Sequence, residues 1–171
     1  MLCYVRKDDF VAEVFLALGT NLGDRHANLI AALNALGDYV EIMSKSRLYE
    51  TSPMYVADQP AFLNMVVRAV TELTPHELLA ALKHLEKKLG RKTTYSNGPR
   101  LIDLDILYFD DILLDDEDLQ IPHLRISERS FVLSPMADIS IDFLDPRTGE
   151  SIANMLKALG DVNEVKISSI L

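Results

Sequence analysis

A chain of 171 residues that is 49% hydrophobic is long and apolar enough for one domain with a sizeable core, and too apolar to stay disordered. Its net charge of -9 and isoelectric point of about 4.8 exclude a general attraction to nucleic acid or anionic membrane, so any phosphate contact must come from locally placed Arg and Lys. The single cysteine, Cys3, cannot close an internal disulfide and fits a reducing, cytoplasmic setting. No apolar run approaches the roughly 18 residues of a membrane span. The opening MLCYVRKDDF lacks the apolar centre of a signal peptide.

In chain order, residues 13–20 (EVFLALGT) predict a strand. Asp24 then caps a helix to about Leu36, with Leu29, Ile30, Leu33 and Leu36 on one face and Gly37 as its stop. Residues 40–49 alternate in polarity and predict one half-exposed strand. TSPMYVADQP is a loop marked by Pro53 and Pro60. Residues 62–73 predict a further strand. Thr74, Pro75 and Glu77 form the start signal of a second helix, whose core face is Leu78, Leu79, Leu82, Leu85 and Leu89 and which ends at Gly90. The polar, partly basic RKTTYSNGPR leads into a strand at residues 101–109. A hairpin through DDILLDDEDLQI follows, then PHLRISERSF, and the tail carries one amphipathic helix at residues 151–159. Strand, helix, strand, strand, helix, strand is the split βαβ, ferredoxin-like order. It predicts an α+β fold: an antiparallel sheet with helices on one face, plus an added hairpin and a C-terminal helix.

The strand LIDLDILYF carries two acids, Asp103 and Asp105. Side chains alternate along a strand, so both point one way, with β-carbons roughly 7 Å apart, while Ile102, Leu104 and Ile106 point to the core. Two readings fit. The acids hold a divalent cation such as Mg²⁺, which suits hard oxygens on a rigid strand, or they merely solubilise an exposed face. Asp is disfavoured in strands, and the cations Arg91, Lys92, Arg100, Arg125 and Arg129 flank this one, which favours the cation. No G-x-x-x-x-G-K-[ST] occurs, so a phosphate site here is not a P-loop.

The blocks GTNLGD (19–24), YETSP (49–53), DQPAFLN (58–64), LEKKLGR (85–91), GPRLIDLDILYF (98–109) and IPHLRISERSFVLSP (121–135) occur in that order. Together they resemble the 6-hydroxymethyl-7,8-dihydropterin pyrophosphokinase family over nearly the whole chain. The resemblance implies transfer of the β,γ-pyrophosphoryl group of ATP to the pterin's hydroxymethyl oxygen, with release of AMP. It implies two Mg²⁺ ions on Asp103 and Asp105, with Arg91 and Arg100 as further catalytic groups. It places ATP contacts at Glu86, Arg91, Arg100, Ile106, His123 and Arg129, and at Lys83 in place of a family glutamine. It places the pterin at Thr51, Met54, Phe62, Asn64 and Phe131. The whole chain is then one pyrophosphokinase domain with residues 1–12 as an extension. Its partners are the two small substrates, with no nucleic acid, no membrane, and a monomer favoured.

The sequence departs from the family in the loop before GPR, here GRKTTYSNGPR. It is one residue short, lacks the second and third arginines, and has Asn97 where the family has Trp. Lys92 and Tyr95 replace part of the charge and ring. Two other readings remain at this stage: a relative with weakened catalysis and an altered lid, or a ferredoxin-like regulatory domain that binds a small ligand.

Overall fold

Antiparallel strand pairing around one long central strand organises the chain. The computed structural model describes residues 11–53, 58–91, 98–160 and 165–169. Strand β1 (Ala12–Thr20) leads through helix α1 (Arg25–Leu36) to β2 (Glu41–Lys45) and β3 (Leu48–Thr51). Then come β4 (Phe62–Thr71), α2 (Pro75–Lys88), β5 (Asp103–Phe109), and a hairpin of β6 (Leu114–Asp115) and β7 (Gln120–Ile121). A 3-10 turn (Ile126–Glu128), α3 (Ser130–Ser140), α4 (Ile152–Ala158) and β8 (Val165–Ser169) close it. The sheet order is β5-β1-β4-β3-β8, with β2 also on β4. That is the α+β, ferredoxin-like arrangement with an added hairpin and C-terminal helix.

The start signals act as written. The Asp24 carboxylate accepts from the Ala27 N–H, and Thr74 and Glu77 form a reciprocal capping box. Gly90, with φ of 92°, ends the α2 turn in a conformation that a side chain disfavours. The α1 face is Leu29, Ala32 and Leu36; Ile30, expected there, is exposed.

Three expectations are corrected. The single strand at 40–49 is two, because the chain breaks at Ser46 and Arg47. Ser46 Oγ accepts from the Val66 N–H at 3.0 Å and donates to the Arg47 carbonyl at 2.8 Å, replacing ladder bonds at the break. Arg47 is held at the turn by Asp138 of α3, its Nε lying 3.1 Å from both carboxylate oxygens. The second correction is α3 itself, a helix hidden in sequence by Pro135 in its interior. The third is that helices cover both faces: α1 and α2 pack over Leu16, Leu18, Leu104 and Ile106, whereas α3 and α4 pack over Phe15, Val66 and Tyr108. The added strand β8 pairs with β3 at the far edge of the sheet.

Among the described residues, α3 and α4 cover one end of this second face. There Phe15, Tyr108 and Phe143 form an aromatic cluster with centroids 4.7 to 6.1 Å apart, and the buried Tyr108 hydroxyl donates to Asp145 at 3.0 Å. The same face of the same strands then changes character. Beyond Phe15 come Ala17 and Gly19; beyond Val66 come Asn64 and Phe62; before Tyr108 come Asp105 and Asp103. Those residues line an open cleft.

Candidate functional site

Register builds the floor of this cleft. Gly19 lies opposite Asn64 on β4 and opposite Asp103 on β5, so one row across the sheet reads Asp103, Gly19, Asn64. Glycine leaves the space between the acid and the amide open. Thr51, Ser52, Gln59, Arg100, Arg129 and Phe131 complete the walls. Thus Thr51, Phe62, Asn64 and Phe131 meet Arg100, Asp103, Asp105 and Arg129 in one cavity. Phe62 and Phe131 are part-exposed at this cleft rather than closed in the core. The Asn64 amide donates to Thr51 Oγ1 at 2.8 Å, which orients its carbonyl oxygen toward Gly19. Met54, Lys92, Tyr95 and Asn97 lie outside the described residues.

The acids differ in surroundings. Asp103 accepts from Arg91 at 2.7 Å on one oxygen and from Arg100 at 2.6 Å on the other. Burial pushes its pKa up, but Arg100, Arg91 and Lys83 together outweigh that and hold it below the usual range. The Asp105 carboxylate makes no hydrogen bond among the described residues; the nearest cation among them is Lys83 Nζ, at 3.9 Å. Burial, then the Asp103 charge, pushes the Asp105 pKa up to about 6. No group of three or more Asp, Glu, His or Cys converges as a cage among the described residues. Two carboxylates on one strand, one of them lacking a hydrogen bond, are still a donor set suited to Mg²⁺, which keeps water and phosphate oxygens as its other ligands.

Glu86 ties this end together. It is 2% exposed, on the inner face of α2. Its carboxylate accepts from the Leu104 N–H at 2.8 Å and from Lys83 at 3.0 Å, and pairs with Arg91. Lys83 also donates to the Leu104 carbonyl at 3.3 Å. The edge of β5 is therefore occupied at Leu104. By strand alternation, the backbone groups of Ile106 point to the same edge. The Ile106 side chain itself is core, at 3% exposed, so any ligand contact there is made by main chain.

Arg129 carries an unanswered donor. Its Nε is buried without a hydrogen-bond partner among the described residues, and its guanidinium lies 5.6 Å from the Phe131 ring centre. A buried N–H of a cation facing a cleft is poised for an anion. His123 follows the cis Ile121–Pro122 peptide, and its N–H donates to the Leu107 carbonyl at 3.0 Å. Burial, then Arg129, lowers its pKa from 6.5 to about 4. The unfolded chain thus binds this proton near pH 6.5, and the folded chain only near pH 4. Stability from this group is present above pH 6.5 and is lost as pH falls toward 4. His123→Asn should remove about 1 to 2 kcal/mol of the loss between pH 7 and pH 5, read from urea midpoints at each pH.

Asn21, inside the GTNLGD block, has a role that no local pattern shows. Asn21 is 1% exposed and joins three of the motif blocks. Its side-chain oxygen accepts from the Arg100 N–H at 2.9 Å, its own N–H donates to the Arg100 carbonyl at 3.2 Å, and its amide donates to Gln59 at 3.0 Å and the Pro60 carbonyl at 3.2 Å. A buried residue with four hydrogen bonds to three partners fixes the backbone that carries Arg100. Gly19 was missed as a wall residue because a glycine in a strand shows its purpose only through its neighbours.

Comparison with known proteins matches this arrangement. Residues 15–141 match the family model described as 7,8-dihydro-6-hydroxymethylpterin-pyrophosphokinase (HPPK). The chain is 41% identical to a folic acid synthesis protein of Pneumocystis carinii over 92% of its own length, but spans 22% of that longer protein. It is 38% identical to the 2-amino-4-hydroxy-6-hydroxymethyldihydropteridine pyrophosphokinase of Aquifex aeolicus, over 80% of this chain and 85% of that one. Among solved structures, wild-type HPPK-DHPS of Plasmodium falciparum superposes with a TM-score of 0.71 at 18% identity, covering 87% of this chain and 43% of that one. The family match runs from Phe15 in β1 through α3 and takes in both helices of the first face and the strand of the paired aspartates, and the chain belongs to the 7,8-dihydro-6-hydroxymethylpterin-pyrophosphokinase family.

Proposed function

We propose that this chain transfers the β,γ-pyrophosphoryl group of ATP to the hydroxymethyl oxygen of 6-hydroxymethyl-7,8-dihydropterin, giving AMP and the pterin diphosphate for folate synthesis. The observation that carries the reading is a single cleft with two chemically different ends. One end has paired acids ringed by cations. The other has two phenyl rings, an oriented amide and a threonine hydroxyl. Family membership supplies the reaction class.

In this reading Arg91, Arg100 and Arg129 bind phosphate oxygens, and their guanidinium forks match that geometry. Lys83, Glu86, His123 and the Ile106 main chain line the nucleotide's remaining course. Thr51, Met54, Phe62, Asn64 and Phe131 hold the pterin, its amide edge on Asn64. Asp103 and Asp105 hold two Mg²⁺ ions, which when bound neutralise the triphosphate and orient it. The hydroxymethyl oxygen attacks the β-phosphorus, the bond from that phosphorus to the α–β bridging oxygen breaks, and AMP leaves with the electron pair. The hydroxyl proton passes to solvent. No general base is required of the chain; alignment and charge neutralisation carry the acceleration. The domain extends over residues 1–171, acts as a monomer, and works in the cytoplasm, consistent with its lone cysteine. No helix among the described residues is long and apolar enough to cross a membrane.

Calorimetry tests the binding half of this reading. The pterin should bind in the presence of Mg²⁺ and α,β-methylene-ATP, and Asn64→Ala should weaken it about tenfold or more, the range for losing paired hydrogen bonds. No pterin binding to the wild-type complex would overturn it. Gly19→Ala is a second check. A β-carbon there would sit 2.9 Å from Asn64 Oδ1, inside contact distance, so the amide must move. The KM for pterin should rise about tenfold while the KM for ATP changes little.

A further inference from the structure

Lys83, on the inner side of α2, has a specific place in the structure. Its ammonium lies 3.0 Å from Glu86, 3.3 Å from the Leu104 carbonyl and 3.9 Å from Asp105. Asp103 already has a guanidinium on each oxygen, from Arg91 and Arg100. Three carboxylates (Glu86, Asp103 and Asp105) therefore face three cations (Lys83, Arg91 and Arg100). The set has no uncompensated negative charge, and Arg129, which lines the same cleft, adds a further positive one. Asp105 is the member with the fewest partners, and Lys83 is its nearest cation among the described residues.

We propose that Lys83 is the resident counter-ion of Asp105: it competes with free divalent metal for that carboxylate, and it gives way when metal arrives together with a triphosphate. The proposal rests on the pyrophosphokinase reading above. A bare divalent cation adds positive charge to a cluster with no spare negative charge and must take Asp105 from the ammonium. A metal–triphosphate complex brings its own negative charge and offers Lys83 a new acceptor. Lysine suits the exchange, being a compact charge on a flexible stem. With 42% of its side chain exposed, Lys83 has room to move, and Glu86 and the Leu104 carbonyl remain as its seats when Asp105 is taken. A neutral glutamine would not compete. Lys83 thereby makes metal and nucleotide binding depend on one another, a coupling that is reciprocal by thermodynamic necessity.

The experiment uses electron paramagnetic resonance of Mn²⁺, alone and with α,β-methylene-ATP, on wild type, Lys83→Gln and Lys83→Arg. Lys83→Gln should bind free Mn²⁺ about tenfold more tightly than wild type, the size of one nearby charge discounted for exposure. Its Mn²⁺ affinity with the analogue present should not rise and falls by whatever the Lys83–triphosphate contact supplies, so the coupling factor falls by at least the same ratio. Lys83→Arg keeps a competing cation and should stay near wild type. A merely structural role would weaken both affinities together and leave their ratio fixed. Free-Mn²⁺ affinity of Lys83→Gln within about twofold of wild type would overturn the role of Lys83 alone. Failure of the wild type to bind Mn²⁺ even with the analogue would overturn the pyrophosphokinase reading along with it.

Discussion

Asp105→Asn should lower turnover by about 1,000-fold or more while leaving the fold at least as stable as wild type. The two halves of this expectation have different origins. On the catalytic side, the substitution removes one of two anionic ligands from a site whose task is to neutralise a triphosphate. Metal coordination of that kind is worth several kcal/mol of transition-state stabilisation, and about 4 kcal/mol corresponds to the stated loss. On the stability side, the Asp105 carboxylate makes no hydrogen bond among the described residues and sits beside another carboxylate. Its pKa is raised in the folded state, so its ionised form at neutral pH opposes folding. A neutral amide of the same shape removes that opposition, and the melting temperature should hold or rise by a few degrees. Asp103→Asn should lose turnover similarly but also lose stability, because Asp103 anchors Arg91 and Arg100. Steady-state AMP release and thermal melts on both variants check the contrast. An Asp105→Asn protein with near-normal turnover would remove the metal assignment.

Glu86→Ala should lower stability by about 3 kcal/mol, or roughly 6 to 12 °C in melting temperature for a chain of this size. Glu86 is a buried carboxylate with partners on three sides: the Leu104 N–H, the Lys83 ammonium and the Arg91 guanidinium. Removing one member of a buried ion pair leaves its partners without compensation, which is the costly case. It also frees the edge of β5 at Leu104 and lets α2 drift from the sheet. Glu86→Gln keeps the acceptor for Leu104 and loses the charge, so its effect should be about half as large. Urea denaturation of both variants reads the difference. Equal stability of wild type and Glu86→Ala would show that the α2–β5 link is not held through this side chain.

Much of the fold was legible because local signals and register agreed. The Asp24 cap, the Thr74–Glu77 box, Gly90 and the alternation of DLDI each specify one local conformation, and the antiparallel core follows from their order. The second helical layer was hidden for one physical reason. Pro135 breaks the propensity pattern of α3, although Val132, Leu133 and Met136 pack against Val66 of β4 and stabilise the helix. The continuous apolar run of β1 did carry a signal, since a strand without alternation has both faces buried. The split of residues 40–49 was not legible, because it depends on Asp138, 91 residues away from Arg47.

The site was legible where its chemistry lies on one strand. Period-two alternation alone put Asp103 and Asp105 on one face. The convergence of Thr51, Phe62, Asn64 and Phe131 needed the motif blocks, since they come from three elements whose register no local pattern reveals. Asn21 and Gly19 stayed out of view because their roles are relational: one ties loops together and the other leaves space.

The most direct test of the central claim is the fate of ATP phosphate followed by ³¹P nuclear magnetic resonance with Mg²⁺ and 6-hydroxymethyl-7,8-dihydropterin. The account predicts AMP and pterin diphosphate in equal amounts, no ADP, and no AMP when pterin is left out. Absence of AMP at high protein concentration, with both ligands bound, would contradict it.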